Sequence, residues 1–510
     1  MGVTKLFKKF LICVVALSLI LAFSSDLEAA EDTLIIASPA EATGLDPRLE
    51  TDVHSQERMY TILEPLITFD TDMNIIPRLA TDWGFSEDGL TLSFELREGV
   101  HWHDGEPFTA EDVKYTYNWV LNPDHAAPNR ELYATIEEIE IEDPHTVNFH
   151  LSEEDSFLLN NLARIPVVPA HDGDREDFRS SPIGTGPYEF ESWDRDDVMI
   201  LKANEDYWGG NPNFEYVEFR PIEEDSARQM ALEAGDVHAS QGDVVPEDID
   251  RLEEDPNLKI QRATGTGYTY LAYNTRKEIF EDVEMRRAIS HLVPKEAIVE
   301  RIMHNIGQVA TTSIPSGLPW HNPDVPTYDY NPEKAQEIID DLDIDLEDLT
   351  LTLHTNENPQ RIRIAEIIQA EAANIGIDVE VNIEEWGAFW SNVQQPDHGY
   401  DLFVVGWVGQ VDPDRAMYRQ FHSEGGMNFG GYAHPRLDEL LDKGRTVPPD
   451  SEESIELYYE AQQIEAEEEF YTQIFYYEEV GASDPSLEGY SPHPHVSMAW
   501  QDIHTFELLD

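Results

Sequence analysis

Three tryptophans, and the acidic residues that follow one of them, are the side chains with the clearest capacity to bind a ligand. Trp386, Trp390 and Trp407 flank predicted strand ends, and Asp412 and Asp414 follow Trp407 closely. In open α/β sheets, ligands bind beyond the carboxyl ends of the strands. A flat aromatic ring followed by carboxylates suits a small ligand with apolar parts and a cationic group. Each tryptophan could equally be a core residue, and the sequence leaves that alternative open.

Motifs of catalysis and of nucleotide binding are absent from the sequence. No Gly-x-Ser-x-Gly, His-Glu-x-x-His or phosphate-loop pattern occurs, and the pairs in Gly184-Thr185-Gly186 and Gly265-Thr266-Gly267 lack the third glycine of a dinucleotide loop. Carboxylate pairs occur throughout, so pairing alone does not indicate acid–base catalysis. We therefore expect a binding protein without a catalytic residue, a metal or a cofactor.

Two histidine-containing segments are the candidates for a metal site. His101-Trp102-His103-Asp104 places two imidazoles at alternate positions, and His493-Pro494-His495 does the same. Asp104-Gly105, however, is typical of a turn, and it leads directly into a helix start at Thr109. The structural interpretation of these segments is favoured over the metal-binding one.

The charge balance of the chain excludes several kinds of partner. The 510 residues contain 103 Asp and Glu against 33 Lys and Arg, a formal charge of −70. Nucleic acids and anionic lipids are recognised through clustered cations, so neither is expected as a partner. The acids are spread along the whole chain, which indicates a surface adapted to high salt. Below about 0.1 M salt, where screening weakens, we expect the fold to be lost or to expand.

The first thirty residues have the order of regions that is typical of a secretory signal peptide. Met1–Phe10 contains three lysines, and the apolar run Leu11–Phe23 leads to small residues ending at Ala29-Ala30. The apolar run is short for a membrane span of about 20 residues, although an uncleaved anchor remains the alternative. Cys13 lies inside that run, so lipid attachment is not expected. The sequence predicts an exported protein, periplasmic or on the outer face of the membrane, that contains no cysteine.

Local patterns predict alternating strands and helices. Thr91–Leu96 alternates like a half-buried strand, and residues 136–151 form two such runs around a turn. Thr109 and Asp112 form a capping pattern for a helix to about Leu121, and Asn331-Pro332 begins another.

The stretch 349–383 is the clearest structural unit. It predicts a strand, then a helix over 361–375 that Gly376 ends, then a second strand. A further apolar strand covers 401–407, and an acidic amphipathic helix covers 451–468. Strand–helix–strand order favours an α/β fold with a partly parallel sheet.

Segments along nearly the whole chain resemble the family 5 extracellular solute-binding proteins, the oligopeptide- and dipeptide-type receptors of ABC importers. The segment resembling the family signature is Leu96–Val113, which reads Leu-Arg-Glu-Gly-Val-His-Trp-His-Asp-Gly-Glu-Pro-Phe-Thr-Ala-Glu-Asp-Val. The other matching segments follow in family order: Leu45–Pro47, Ile183–Phe190, Asn204–Gly210, Tyr273-Asn274, Arg286–Ser290, Asn331–Ala335, Ile375–Ile377, Gly406-Trp407 and Asp412-Pro413.

The resemblance implies a two-lobed, type II periplasmic-binding-protein-like fold with an additional small domain. Residues 31–63, 181–272 and 486–510 would form lobe I. Residues 64–180 would form the small domain, and residues 273–485 would form lobe II. The ligand would be buried between lobes that close around a hinge.

The resemblance also implies the site residues. In peptide-binding relatives, an Asp three residues after the tryptophan that ends a strand pairs with the peptide α-amino group, and that position here is Gln410. Asp412 would face the ammonium group instead, Gln410 would donate or accept hydrogen bonds, and Trp407 would pack on the ligand. Glu50–Val53 would form the opposite wall, and Trp386 would offer a further stacking surface.

The expected function is therefore capture of di- or oligopeptides and their delivery to a membrane permease, by a protein that acts as a monomer. An oligosaccharide stacking on Trp386 and Trp390, or a nickel chelate, is the alternative ligand. A secreted hydrolase is the alternative from a different class, and no motif supports it.

Overall fold

The computed structural model describes residues 32–241, 244–342, 344, 349–395, 400–409, 411–449 and 451–509. The predicted signal peptide at 1–30, with Cys13, and the predicted site residue Gln410 lie outside these ranges. Helices and strands alternate along the described chain, so the α/β prediction is confirmed. Within those ranges, no helix combines the length and the apolar character that crossing a bilayer requires.

Among the described residues, eleven strands join in one large mixed sheet. The short strand Gln308–Val309 pairs with Tyr471–Ser483 beside the main path. In spatial order, that path runs Asp378–Glu384, Thr350–Asn356, Leu402–Trp407, Lys259–Tyr273, Tyr471–Ser483, Ala239–Gln241, Thr33–Ser38, Tyr216–Pro221, Val198–Ala203 and Tyr188–Asp194.

Two long antiparallel strands occupy the centre of this sheet. Lys259–Tyr273 pairs with Tyr471–Ser483 over most of its length, but the register shifts between Thr264 and Tyr268. On one side of that shift the pair continues to Ala239–Gln241, and on the other side it continues to Leu402–Trp407. The central pair therefore joins two halves of the sheet through an irregular step.

A separate four-stranded antiparallel sheet lies early in the chain. Its spatial order is Ala80–Phe85, Thr91–Leu96, Thr146–Leu151 and Ile136–Asp143. The predictions of a strand at 91–96 and of a hairpin over 136–151 are both confirmed. Two further strand pairs are Ile67–Phe69 with Ile75–Pro77 and Leu487–Glu488 with Glu507–Leu508.

The helix Ala110–Leu121 begins where its capping pattern predicts. The carboxylate of Asp112 accepts the backbone N–H of Thr109 at 2.9 Å, which satisfies a donor that the first helical turn leaves free. Val113 and Tyr117 face inward and are fully buried. The Tyr117 ring contacts Phe149 of the four-stranded sheet edge-on at 5.3 Å, so this contact packs the helix against that sheet.

The predicted strand–helix–strand unit is also present. Thr350–Asn356 and Asp378–Glu384 are parallel, and the helix Pro359–Asn374 connects them. Gly376 takes the left-handed conformation (φ 89°) that commonly ends a helix. Ile364 lies fully buried on the inner face of the helix, as the pattern predicts.

The remaining helices lie around the two sheets. The predicted helix starts at Asn331-Pro332 and near Ser451 are confirmed, and the side chain of Asn331 accepts the Lys334 N–H at 3.0 Å. The helices not yet named are Val53–Ile62, Leu158–Leu162, Asp225–Ala234, Ile249–Glu253, Glu278–Glu281, Val283–Ser290, Lys295–Arg301, Pro332–Asp341, Trp386–Val393, Arg419–Phe421, Pro435–Gly444 and Glu452–Glu467. The π-helix Asp414–Tyr418 follows the Leu402–Trp407 strand.

Candidate functional site

The tryptophans singled out from the sequence lie together. Trp386 is the first residue of the helix Trp386–Val393, which the carboxylate of Glu385 caps by accepting the N–H groups of Gly387 and Ala388. Trp386 and Trp390 stack with ring centroids 5.5 Å apart, and Trp390 meets Trp407 edge-on at 5.5 Å. Trp386 remains 47 % exposed. The three rings form one aromatic surface with an open end.

This aromatic surface lies at the edge of the sheet where a ligand would be expected. Trp407 ends the strand Leu402–Trp407, which is parallel to Thr350–Asn356. The carboxyl ends of these two strands therefore point to the same edge, which is the binding edge of open α/β sheets. Val408, the next residue, is 66 % exposed, so the chain leaves the strand at an accessible surface.

Asp412 is buried just beyond this edge. Its Oδ1 accepts the backbone N–H of Arg415 at 2.8 Å, so one carboxylate oxygen caps the helical turn that follows. The other oxygen, Oδ2, is buried and has no hydrogen-bond partner among the described residues. Burial raises the pKa of Asp412, and the guanidinium groups of Arg415 and Arg164 oppose that shift. One oxygen of this buried carboxylate is thus without a hydrogen bond among the described residues.

Glu50 and Val53 lie on a different part of the surface. Val53 is half-buried and is the first residue of the helix Val53–Ile62. The carboxylate of Glu50 is buried, where it accepts the hydroxyl of Thr43 at 2.6 Å and pairs with Arg179. This carboxylate already has partners within the chain, and a ligand would compete with them.

Arg164 connects the two sets of predicted residues. Together with Glu50 it lines a small cavity, whose other lining residues include Tyr60 and Tyr133. On its other side it approaches the loop after Trp407, because a Cβ placed on Gly409 would lie 3.9 Å from Arg164 Nη2. The structure therefore joins Trp386 and Trp407 through Trp390 in one aromatic surface, and Asp412 follows five residues after Trp407. Glu50 lines the cavity on the other side of Arg164, and among the described residues Val53 is not brought into contact with the tryptophans.

The loop after Trp407 contacts two segments that are distant in sequence. The side chain of Asn160 donates to the carbonyl oxygen of Val411 at 3.5 Å. His495 Nε2 would lie 4.0 Å from a Cβ on Gly409. Residues from widely separated parts of the chain thus pack against this loop.

Three nitrogen atoms near that loop are buried without a hydrogen-bond partner among the described residues: Arg164 Nη1, Arg415 Nε and His495 Nε2. Leaving a buried donor unpaired costs about 1–3 kcal/mol. Burial, followed by the charge of Arg164, lowers the pKa of Arg415 to about 9. Burial and the same two arginines also hold the pKa of His495 well below its usual range.

Sequence reasoning did not identify the two arginines. Nothing in the residues around Arg164 distinguishes it from other arginines of the chain. Arg415 follows directly after Asp412-Pro413-Asp414, so its place beside the acidic run was the one available signal. His495 was noticed as part of a possible metal site, whereas the structure places its Nε2 against the loop after Trp407.

The histidines near residue 101 have structural partners. Asp104-Gly105 forms the predicted turn, with Gly105 at φ 89°. His103 contacts the carbonyl oxygen of Gly186 at 3.0 Å, and His171 Nε2 lies 2.8 Å from the Asp104 carboxylate. Across the described ranges, no group of three or more His, Cys, Asp or Glu side chains is arranged to hold a metal ion.

Comparison with known proteins gives consistent results over nearly the whole chain. Residues 74–429 match the model of the bacterial extracellular solute-binding proteins, family 5. The oligopeptide-binding protein AppA of Bacillus subtilis is 30 % identical over 490 residues, which cover 90 % of this chain and 89 % of AppA. The dipeptide-binding protein of Escherichia coli is 28 % identical, with 85 % of this chain and 87 % of that protein covered.

Solved structures agree with these sequence matches. The structure of AppA from Bacillus subtilis in complex with a nonapeptide matches with a TM-score of 0.76 at 28 % identity, covering 94 % of this chain and 99 % of that one. NikZ from Campylobacter jejuni in complex with Ni(L-His) matches with a TM-score of 0.77 at 26 % identity, covering 94 % and 99 %. The predicted fold class is confirmed by this agreement.

Proposed function

The chain belongs to the family 5 bacterial extracellular solute-binding proteins, and on that premise we propose that it captures peptides outside the cytoplasm and delivers them to the permease of an ABC importer. The observation that carries this proposal is the partly exposed aromatic surface of Trp386, Trp390 and Trp407 at the carboxyl edge of the strands. A peptide offers apolar side chains that can pack on such a surface, and main-chain groups that a binding protein can hydrogen-bond. The family and the relatives are binding proteins rather than enzymes, and we propose capture without catalysis.

We propose two lobes and a small domain with the boundaries given above. Lobe I comprises 31–63, 181–272 and 486–510, the small domain 64–180, and lobe II 273–485. One buried cluster lies almost entirely within 271–475 and supports lobe II as a unit, whereas the other large cluster spans parts of all three domains. In this division Lys259–Tyr273 ends lobe I and Tyr471–Ser483 ends lobe II, so the proposed hinge lies in this strand pair, beyond the irregular step in its register.

Closure would be a shift from a population of open molecules to a population of closed molecules. Lobe II contacts the other domains in this conformation through Val411 and Asn160, and through an ion pair of 3.0 Å between Arg363 and Glu247. A ligand that touches both walls binds the closed form more tightly than the open form, and it stabilises the closed form by that difference. Such closure around a ligand is a common behaviour of two-lobed binding proteins.

Each predicted site residue has a proposed role in the closed form. Trp407 and Trp386 pack on apolar parts of the peptide, and Oδ2 of Asp412 accepts from its ammonium group. Gln410 forms hydrogen bonds to the peptide main chain. Glu50 and Val53 contribute to the opposite wall.

We also propose that residues 1–30 direct export, that the exported chain acts as a monomer without a lipid anchor, and that it works in brine. With a formal charge of −70, repulsion between surface carboxylates is screened in molar salt and strong in dilute buffer. Circular dichroism should report loss of structure, or scattering should report expansion, when salt falls below about 0.1 M. Spectra that stay unchanged from molar to millimolar NaCl would refute the adaptation to salt.

The function is tested by identifying what the protein carries. The exported form is purified in molar NaCl and denatured, and the released molecules are identified by mass spectrometry. We expect peptides, and we expect Trp407→Ala to retain fewer of them than the wild-type protein. Recovery of a sugar, or of a nickel complex such as the one bound by NikZ, in place of peptides would overturn the peptide assignment.

A further inference from the structure

One loop of the proposed small domain packs directly into the proposed lobe II. This loop precedes the helix Leu158–Leu162 and ends at Phe157, which is 3 % exposed. The ring of Phe157 meets the rings of Trp320 and Tyr458 edge-on, with centroids 6.2 Å and 6.1 Å apart. Both partners belong to 273–485, so a side chain of the small domain is buried against two aromatic rings of lobe II.

The two rings of lobe II are held in place by contacts within that lobe. The indole N–H of Trp320 donates to the carbonyl oxygen of Pro449 at 3.0 Å. Tyr458 is 1 % exposed on the helix Glu452–Glu467, and Gly444 leaves room for its ring, because a Cβ on Gly444 would lie 2.6 Å from it. Lobe II therefore presents a fixed apolar face to the loop of the small domain.

The backbone that leads to Phe157 is fixed on its own side as well. The carboxylate of Asp155 accepts the hydroxyl of Thr135 at 2.8 Å and the backbone N–H of Phe157 at 3.2 Å, both within the small domain. Ser156, between them, donates its backbone N–H across to the carbonyl oxygen of Arg445 at 3.1 Å. A buried backbone donor needs a partner, so this bond is part of the same contact.

Separation of the lobes would expose the ring of Phe157 to water. Burying a phenylalanine side chain favours the state in which it is buried by about ten- to a hundredfold. None of the residues in this contact belongs to the aromatic surface of Trp386, Trp390 and Trp407. The contact thus links the two domains without using the residues that we propose for the peptide.

We propose that Phe157 is a latch that forms when the lobes close, so that the small domain raises the affinity for peptide without contacting the peptide. The proposal rests on the proposed function, because it takes closure around a peptide as given. The apparent affinity of a ligand falls with the fraction of protein in the binding-competent form. A latch that stabilises the closed form therefore raises the affinity for every peptide by the same factor.

The first measurement tests whether the latch forms on closure. The one cysteine of the sequence, Cys13, lies in the predicted signal peptide, so the exported protein has no thiol of its own. Ser156→Cys places a thiol in the buried contact, and Ser152→Cys places one at an exposed position of the same loop. In molar NaCl, we expect saturating tetra-alanine to slow maleimide labelling of Ser156→Cys by about tenfold or more and to leave Ser152→Cys unchanged.

The second measurement is peptide affinity, by isothermal titration of the exported protein with tetra-alanine and with Ala-Lys-Ala-Ala. Phe157→Ala removes the ring, and we expect both affinities to fall by the same factor, about tenfold or more. Phe157→Leu keeps an apolar side chain and should recover most of that loss. Phe85→Ala is the matched control, because Phe85 belongs to the same domain but is 36 % exposed, and both affinities should stay unchanged.

Circular dichroism verifies that each variant is folded, and the labelling measurement is sufficient if Phe157→Ala does not fold. Equal labelling of Ser156→Cys with and without peptide would overturn the latch. Unchanged affinities in Phe157→Ala would also overturn it, and so would a loss confined to one of the two peptides, which would mean that Phe157 contacts the peptide. In these cases peptide capture stands. A wild-type protein that binds neither peptide would overturn the proposed function, and the latch with it.

Discussion

Two buried charged clusters in this protein differ in how far their polar atoms are hydrogen-bonded within the chain. Glu64 is 1 % exposed, and its carboxylate accepts from Tyr207 and Trp208 at 2.8 Å and from Thr185 at 3.0 Å. Arg78 lies 3.5 Å away as its counter-charge. The cluster of Arg164, Arg415 and His495 differs, since one buried nitrogen of each residue has no hydrogen-bond partner among the described residues.

The difference lies in the hydrogen bonds that each cluster makes within the chain. A buried charge is tolerated when hydrogen bonds and an opposite charge replace water, as they do around Glu64. In the arginine cluster Asp412 supplies an opposite charge, but one buried nitrogen of each of the three residues has no hydrogen-bond partner among the described residues.

Replacement of Glu64 should give the largest change in stability. Glu64→Ala leaves three buried donors without their acceptor and leaves Asp502, at 2.8 Å, as the remaining counter-charge of Arg78, so we expect the free energy of unfolding to fall by about 3–5 kcal/mol. Urea denaturation in molar NaCl measures this. Arg164→Gln is the contrasting variant and should change the free energy of unfolding by less than about 1 kcal/mol. Equal losses from both variants would contradict the distinction between the clusters.

A third buried carboxylate, Glu465, should make the free energy of unfolding depend on pH, by an amount of intermediate size. Burial raises its pKa from 4.5 to about 8, even though Ser313 and Gln473 donate to it. The folded protein therefore keeps a proton that the unfolded chain releases, and the free energy of unfolding falls as pH rises through this interval.

Glu465→Gln should remove that pH dependence. Between about pH 5 and pH 8, we expect the wild-type protein to lose about 3 kcal/mol of stability relative to the variant. Urea denaturation of both proteins at several pH values in molar NaCl measures the difference. Parallel stability profiles for the two proteins would show that Glu465 ionises normally.

Asp412→Asn tests the proposed contact with the ammonium group of the peptide, and it should change stability less than Glu64→Ala does. Asparagine caps a helix about as well as aspartate, so the turn at Arg415 should persist and stability should stay within about 1 kcal/mol. Affinity for a peptide with a free amino group should fall about tenfold, because a charge-assisted hydrogen bond is lost. The N-acetylated peptide serves as the control, and its affinity should not change. If free-peptide affinity is unaffected, another residue holds the ammonium group.

Breaking the ion pair between Arg363 and Glu247 should have the smallest effect on peptide affinity. Both side chains are about half exposed, and exposed pairs contribute about 0.2–1 kcal/mol. Arg363→Gln should therefore weaken peptide binding by a few-fold at most, and by less as salt is raised. Arg436→Gln, which breaks a pair within lobe II, is its control. A larger loss that persists in molar salt would mean that Arg363 contacts the peptide itself.

The sequence predicted those elements whose signals are local. The capping residues Thr109 and Asp112 and the cap at Asn331 act within four residues, so their patterns are visible in the sequence. The pairing of Lys259–Tyr273 with Tyr471–Ser483 could not be predicted, because it joins strands about 200 residues apart and neither strand marks its partner.

The candidate site likewise has one part that could be predicted from the sequence and one part that could not. The contact among Trp386, Trp390 and Trp407 follows from one strand–helix–strand region, and sequence reasoning pointed to that region. Arg164 and His495 come to the site from segments more than 300 residues apart. Only the folded structure shows that these two residues lie beside the same loop.

The position of the first strand has a consequence for how the protein is made. Thr33–Ser38 lies between Tyr216–Pro221 and Ala239–Gln241, so the earliest strand to be synthesised has its partners about 180 residues later in the chain. Ala239–Gln241 in turn needs Tyr471–Ser483, near the end. The large sheet can therefore be completed only after Tyr471–Ser483 has been synthesised, which suits the export that we propose for this chain.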